Sequence, residues 1–387
     1  FFGSCVVRAA LPSSNRTGGR LPACPLSHPR RRGRHAGMTN GPQDNRAQGV
    51  LASYSSANFI LSRKEYRQRA TFNHWQLKDL VCCPDNPDEV YYTDHTTVYC
   101  HNTRTGEHTD VLQLDYHPTA ITVGHGYVCA VGSDSAMTVR CLRTGGVLFS
   151  GKCSTTINNS CIVRKHGEDD LRLMVCLNEE KIRVYSLPSM MSITDIPVNT
   201  QVNYCDVSPD GRLLVAVGDD HSLYVYEVHG YNYIFMDQIK AYDDCSFSCC
   251  FSPDGLHCTA ASQDGTIVIF RVLDNKFVHT SVIKGFKSTG QTVAQAIKYC
   301  RAVKYSPLKG IDLIAFTEST SYIHILDVLK PENHQTIRVA PNNEETDICG
   351  LCFSPDSRYL YVALQDRLVQ LEVDLAARRC RPAGCYL

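Results

Sequence analysis

Long apolar stretches are missing from this chain of 387 residues. No uninterrupted apolar run approaches the ~18 residues that a helix needs to cross a bilayer, so the sequence predicts no membrane-spanning helix. Tryptophan is nearly absent, with Trp75 as its one occurrence, but 20 Tyr, 13 Phe and an apolar content of 43% provide ample material for a continuous core. Length alone would suggest roughly two or three domains, but a repeat fold overrides that expectation, and length and composition then agree with one large all-β domain.

Motifs of catalysis are also missing. The sequence has no G-x-S-x-G nucleophile elbow, no phosphate-binding P-loop, no H-E-x-x-H zinc motif and no G-x-G-x-x-G dinucleotide fingerprint. We therefore expect no enzymatic activity, no catalytic residue and no cofactor.

Acidic residues are absent from the first 37 positions, which carry seven arginines. The remaining residues hold 32 basic against 39 acidic side chains, a net charge of −7, which argues against general nucleic-acid binding. The basic segment resembles a transit peptide or a nuclear-import patch, or it is translated upstream sequence with Met38 as the true start. We expect residues 1–48 to be disordered and residues 1–37 to be dispensable.

The 20 cysteines lack regular spacing. Most fall within strand-like runs, where a free thiol behaves as a small buried hydrophobe. Cys349 and Cys352 have C-x-x-C spacing, but residues three apart on a strand point to opposite faces, so we expect no metal site there. Unpaired thiols fit a reducing compartment, the cytoplasm or the nucleus.

The sequence does contain one internal repeat. Each copy is a turn, an apolar run, an acidic turn and an alternating run closed by Val. Such a unit, recurring every 40–56 residues, is typical of propeller blades, which must stack because one small sheet cannot bury both of its faces. The readable copies are SPDGRLLVAVGDDHSLYVYEV (208–228), SPDGLHCTAASQDGTIVIFRV (252–272), SPLKGIDLIAFTESTSYIHILDV (306–328) and SPDSRYLYVALQDRLVQLEV (354–373).

Alignment on the acidic turn extends the series to seven units. The carboxylates of these acidic turns are expected to accept hydrogen bonds from backbone N–H groups in the tight turn. The Asp264-Gly265 pair suits a two-residue hairpin. The turn positions are Asp94, Asp134, Glu179, Asp220, Asp264, Thr320 and Asp366.

These units resemble WD40 repeats over roughly residues 71–375. The SPDG turns and the Asp264-Gly265-Thr266 turn match that family's pattern, although no unit ends in Trp-Asp and Gly124-His125 is the one Gly-His pair. Residues 245–328 are most similar to a group of uncharacterised eukaryotic WD-repeat proteins. The resemblance implies a seven-bladed β-propeller, which we place at residues 49–375, with a C-terminal tail at 376–387.

A closed ring needs a fourth strand for its last blade, because an open edge invites aggregation. The seventh unit supplies strands near 348–353, 358–364 and 367–373, and residues 375–387 make a poor strand. We expect residues before 71 to close the ring, with 49–62 as the segment and Ser56 to Leu61 as its strand-like run.

A basic insertion over 283–303 separates the fifth and sixth units, and insertions in repeat folds often lie on the binding face. Each readable repeat opens with a turn serine. We expect the residue five positions before that serine, or seven positions before it in the last unit, to lie near the face that carries the connections between blades. Aromatic and Arg residues there are candidate anchors for a partner, although Phe247 would alternatively plug the channel mouth. The candidate partner-binding residues are Asn203, Phe247, Lys284, Lys287, Lys298, Arg301 and Asp347.

Three functions remain open. The favoured one is a non-catalytic scaffold for protein–protein interactions, with unidentified proteins or peptides as partners and no membrane. A substrate receptor of a cullin-type ubiquitin ligase is the second, although Arg143 alone occupies the Arg place of the W-D-x-R ending such receptors carry. The third is an enzyme or small-ligand binder that uses the central channel, which a cluster of polar residues converging there would favour.

Overall fold

The computed structural model of the protein describes residues 55–74, 76–77, 79–167, 170–285, 297–341 and 344–379. The predicted disordered extension at 1–48 lies outside these residues, as do Trp75 and Lys287. The described residues form 28 strands and one short helix. No helix among them is long and apolar enough to cross a membrane.

The strands form seven antiparallel four-stranded sheets, which confirms the predicted all-β fold of seven blades. The strands of blades 1 to 3 are β2 Val81–Cys82, β3 Glu89–Asp94, β4 Thr97–Asn102 and β5 His108–Gln113, then β6 Pro118–Gly124, β7 Tyr127–Gly132, β8 Ala136–Cys141 and β9 Val147–Lys152, then β10 Asn158–Lys165, β11 Leu171–Leu177, β12 Lys181–Leu187 and β13 Ser192–Pro197.

Blades 4 to 6 repeat the same order, and blade 7 combines three late strands with the first strand of the chain, β1 Ile60–Tyr66. The remaining strands are β14 Val202–Val207, β15 Leu213–Gly218, β16 Ser222–His229 and β17 Asn232–Lys240, then β18 Ser246–Phe251, β19 His257–Ser262, β20 Ile267–Leu273 and β21 Lys276–Ile283, then β22 Val303–Tyr305, β23 Leu313–Thr317, β24 Tyr322–Asp327 and β25 His334–Arg338, then β26 Ile348–Phe353, β27 Tyr359–Leu364 and β28 Leu368–Val373.

The ring is closed around a central channel. The first strands of neighbouring blades contact each other all the way round, from β2 through β6 to β26 and back to β2. Because each blade is an antiparallel meander, the turns between its first and second and its third and fourth strands lie on one face, which we call the turn face. The opposite face carries the connections between blades, and we call it the connection face.

Closure by residues before 71 is confirmed, but the strand lies later than the predicted Ser56 to Leu61. Strand β1 pairs with β28 from Ile60 opposite Val373 to Tyr66 opposite Leu368. The residues before Ile60 are drawn to blade 6 instead, because the N–H groups of Ser56 and Ala57 donate to the His334 carbonyl at 3.0 and 3.1 Å.

The core consists of layers between adjacent blades. Strands β14 and β15 are buried along their whole length, whereas the outer strand β17 is mostly exposed. The inner strands are covered on both faces by neighbouring blades, so continuous apolar runs suit them, and the outer strand meets solvent at the rim.

The SPDG turns have a shared hydrogen-bond pattern. The Ser208 hydroxyl donates to Asp210 at 2.6 Å and accepts from the Leu213 N–H at 2.9 Å, while Gly211 takes a φ of +73°. Ser354 repeats both bonds with Asp356 and Tyr359, at 2.7 and 2.9 Å. These bonds satisfy the polar groups of a tight turn, which accounts for the recurring residues.

The Asp264-Gly265 turn differs from the predicted two-residue hairpin. The Ser262 N–H donates to the Thr266 carbonyl at 2.9 Å, so three residues form the loop, and Gly265 has a φ of +80°. A left-handed residue at the end of a three-residue loop is the next most common hairpin geometry.

The C-terminal tail begins with a helix, α1 Leu375–Arg379, which the sequence did not predict. The Asp374 carboxylate accepts the Ala377 N–H at 3.0 Å and so caps it.

Candidate interaction surfaces

Asn203 ties blades together at the connection face. Its side-chain amide donates to the Ser246 carbonyl at 3.0 Å and to Asp219 at 2.9 Å, and its carbonyl oxygen accepts from Asn159 at 3.1 Å. These contacts join blades 3, 4 and 5. The side chain is buried, so its observed bonds are structural.

Phe247 is buried rather than displayed, with an exposed fraction of 6%. The Arg301 guanidinium lies over its ring, 4.7 Å from the centroid, and donates to the Gln263 side chain at 2.8 Å. Leu77, reaching across from blade 1, packs against Phe247. The structure therefore brings Phe247 and Arg301 together, but in a buried contact rather than on an exposed surface. Burial lowers the pKa of Arg301.

The predicted basic insertion presents two lysines in the described residues. Lys284 is exposed and lies 3.4 Å from Asp243, and Lys298 is exposed next to Tyr299. Tyr299 is 55% exposed, with its ring centroid 5.8 Å from the Arg301 guanidinium. Sequence reasoning missed Tyr299, although an aromatic residue two positions before Arg301 was a readable signal. Lys287 lies outside the described residues.

Asp347 lies apart from this cluster in the fold. It pairs with Thr320 in an isolated bridge that joins blade 7 to the turn between β23 and β24.

The acidic turn residues act in two ways. Glu179 accepts the Thr155 N–H at 2.8 Å, Asp220 accepts the Ser222 N–H at 3.1 Å, and Asp264 accepts the Thr266 N–H at 2.7 Å. Burial would raise the pKa of Glu179, but the bonds from Thr155 and Lys181 outweigh it and lower that pKa to about 2. Asp94 and Asp366 instead form ion pairs with Arg69 and Arg367, and Asp134 is exposed.

The turn face carries a groove of about 700 Å³ between blades 4 and 5. Its walls are the two SPDG turns and the hairpin between β20 and β21. Leu256 and Leu273 line it and are each 44% exposed. Sequence reasoning missed this site because the groove exists only where two neighbouring turns meet.

The charged groups around this groove are unevenly paired. Asp210 and Arg212 form an exposed ion pair at 2.7 Å, and Asp254 accepts the Leu256 N–H at 2.9 Å. Lys309, at the blade 6 side of the groove, is exposed and forms no ion pair with the described residues. Asp254 and the exposed Asp274 also line the groove and form no ion pair with the described residues. The groove thus offers an apolar surface beside unpaired charges of both signs.

Comparison with known proteins agrees with this architecture. The WD domain, G-beta repeat model matches residues 193–227 and 238–271. The first match starts within the outer strand of blade 3 and ends within the third strand of blade 4, so one sequence repeat spans two blades. The model of an uncharacterised protein domain, DUF2415, matches residues 300–338.

An uncharacterized protein of Schizosaccharomyces pombe is 25% identical to the chain over 332 residues, which are 83% of this chain and 93% of that protein. Among solved structures, a chain in the crystal structure of the mitotic checkpoint complex superposes with a TM-score of 0.62 at 12% identity, covering 92% of this chain and 99% of that one. At such low identity this likeness shows the propeller fold alone. The chain carries WD40 repeats in a seven-bladed propeller and fits a group of uncharacterised WD-repeat proteins.

Proposed function

We propose that this chain, a seven-bladed β-propeller with WD40 repeats, is a non-catalytic scaffold that binds partner proteins through its turn face. The observation that supports the proposal is the groove between blades 4 and 5, with two half-exposed leucines at its centre. Apolar side chains that stay in contact with water on a rigid surface mark protein-interaction sites.

The groove favours a short extended segment of a partner protein. A large apolar side chain of that segment would lie between Leu256 and Leu273 and remove both from water. An acidic residue beside it would pair with Lys309. Such an apolar centre with a charged rim is the usual anatomy of a protein interface.

Affinity capture from a cell extract with the full chain and its variants tests this proposal. The double variant Leu256→Asp/Leu273→Asp should lose at least one protein that the unchanged chain captures, because a carboxylate cannot be desolvated against an apolar anchor. Lys309→Glu should weaken capture of the same protein. The matched control is Leu61→Asp, which changes a leucine 62% exposed on β1.

Circular dichroism must show that all variants keep the same β-sheet spectrum. If the double variant captures every protein that the control captures, in the same amounts, the groove is not the binding site.

The connection face offers a second candidate surface, formed by the exposed side chains of Lys284, Lys298 and Tyr299. The exposed Tyr299 ring beside Arg301 favours it, because tyrosine and arginine dominate interface energetics. Lys284→Glu/Lys298→Glu and Tyr299→Ala should then release a protein that the groove variant retains. If the lysine double variant and Tyr299→Ala both still capture every protein that the unchanged chain captures, this surface is not a binding site.

No specific geometry favours a cullin-type substrate receptor. Arg143, on which that hypothesis rests, is exposed in the turn after β8. Buried free thiols such as Cys161, Cys205 and Cys258 are compatible with the proposed cytoplasmic or nuclear location.

A further inference from the structure

A cavity of about 300 Å³ opens at the turn-face end of the central channel. Residues of six blades line it, among them Pro84, Pro307 and Pro355. Its apolar wall includes Ile121 and Phe353. Ligand sites in proteins are clefts of this kind, with a few polar groups that converge on one place.

Two ion pairs converge on this cavity. The Lys304 ammonium lies 3.2 Å from the Asp79 carboxylate and donates to the Tyr204 hydroxyl at 2.8 Å. The Arg164 Nε donates to Asp206 Oδ1 at 3.0 Å, and its Nη2 lies 2.8 Å from the same oxygen. Residues 79 and 304 are distant in sequence, so only ring closure places these charges together.

Arg164 is more accessible from the cavity than its partner carboxylate. The Arg164 side chain is 40% exposed, whereas that of Asp206 is 7% exposed. Burial lowers the pKa of Lys304, but Asp79 and Tyr204 outweigh it and hold that pKa well above its ordinary value, so the ammonium stays charged. In the second pair the two exposures are similar, 22% for Lys304 and 18% for Asp79, so the excess of exposed cation comes from Arg164.

Both cations of this cavity have N–H groups left over after these contacts. In the described residues, Arg164 uses Nε and Nη2 for Asp206 and one N–H of Nη1 for the Val163 carbonyl, so each terminal nitrogen keeps one N–H. Lys304 has a third N–H. Asp206 is already occupied, since its second oxygen accepts the Phe251 N–H at 2.9 Å. A ligand that only accepts hydrogen bonds fits this inventory.

The nearby thiols add no negative charge. Burial raises the pKa of Cys82 to about 12 and raises that of Cys352 as well, so both are neutral at pH 7. The two cations of the site are already balanced by two carboxylates. A ligand with one negative charge therefore fits better than a phosphate with about two negative charges.

We propose that this cavity binds the carboxylate of a small ligand, held by the remaining N–H groups of Arg164 and Lys304, with its aliphatic part against Pro307 and Pro355, which are among the more exposed apolar residues of the lining. Guanidinium and carboxylate match in planar geometry, and charge-assisted bonds are the strong ones. The carboxylate belongs either to a free small molecule or to the C-terminus of a peptide.

Saturation-transfer NMR on the full chain tests the proposal with two probe pairs. The first pair is 4-methylpentanoate and its amide, and the second is the tripeptide Gly-Gly-Leu as free acid and as amide. Each acid should receive saturation and each amide should receive almost none. Binding of the first acid alone assigns a free small carboxylate, and stronger binding of the tripeptide acid assigns a peptide terminus. Equal signals for acid and amide, or no signal from either acid, overturn the proposal.

Variants locate the site. Arg164→Gln/Asp206→Asn removes the guanidinium without leaving a buried carboxylate unpaired, and should weaken acid binding at least about tenfold. Arg104→Gln, at an exposed ion pair with Asp88 outside the cavity lining, should leave acid binding unchanged. Unchanged acid binding by the double variant overturns the assignment to this cavity. The acid-against-amide comparison uses the unchanged chain and holds even if the double variant fails to fold.

Discussion

Arg378 joins the C-terminal helix α1 to blade 6 through buried contacts. Its guanidinium lies 3.2 Å from the Asp327 carboxylate, and its Nε and Nη2 donate to the Ile311 carbonyl at 3.2 and 3.1 Å. The two side chains are 6% and 0% exposed. Removing one member of such a pair leaves a buried charge without its partner, which costs more than the pair itself contributes.

We therefore expect Arg378→Ala to lower the free energy of unfolding by about 3–5 kcal/mol. Chemical denaturation measures this. The matched control is Arg104→Ala, which breaks an ion pair with Asp88 at 3.0 Å in which the arginine is 73% exposed, and should cost about 0–1 kcal/mol. Similar losses in both variants would mean that the helix α1 does not stabilise blade 6.

At the scale of elements, the hairpin between β19 and β20 is shaped by a neighbouring segment. A Cβ added at Gly265 would lie 2.1 Å from the Ile297 carbonyl oxygen, because the chain approaching blade 6 passes directly over this turn. Gly265 thus serves both a left-handed backbone, with φ of +80°, and a close approach of two main chains.

Gly265→Ala should therefore destabilise the protein more than Gly230→Ala. Both glycines have positive φ, +80° and +59°, so both alanines carry the left-handed strain of about 1–2 kcal/mol. Gly230 has no atom within 4 Å of an added Cβ, whereas at Gly265 the backbone must shift. Thermal unfolding of the two variants measures the difference. Equal melting temperatures would contradict the close approach.

At the scale of the whole molecule, the ring depends on a strand from the other end of the chain. Strand β1 completes blade 7, and Arg63 on it donates to the Arg338 and Val339 carbonyls of blade 6, both at 2.7 Å. Arg367 on blade 7 pairs with Glu65 at 2.6 Å. Without this strand, β28 becomes an open edge and the blade interfaces next to it lose their cover.

A chain lacking residues 1–66 should accordingly unfold at a much lower temperature than the full chain and aggregate more readily. A chain lacking residues 1–37 should unfold at the same temperature as the full chain. The removed segment has too few apolar residues to bury the surface that would offset the entropy cost of ordering it. Calorimetry and light scattering measure both effects. If the two truncated chains behave alike, β1 does not close the ring.

The sequence alone determined the local pattern of this protein. The spacing of the acidic turns predicted seven blades, and the three late strands of blade 7 lie within a residue or two of their predicted places, whereas β1 begins four residues later than predicted. These features are local, since a turn residue and an alternating strand act over a few neighbouring positions. Such local patterns could not predict that Phe247 is buried against Arg301 and Leu77, because those contacts join different blades.

Only the tertiary structure decided which residues meet. Lys304 contacts Asp79 and Tyr204 because ring closure brings the first strands of different blades around one channel. Likewise, the leucine groove arises where the turns of two adjacent blades face each other. Both arrangements join residues far apart in sequence, and a repeat pattern carries information about each unit but not about which side chains converge at its borders.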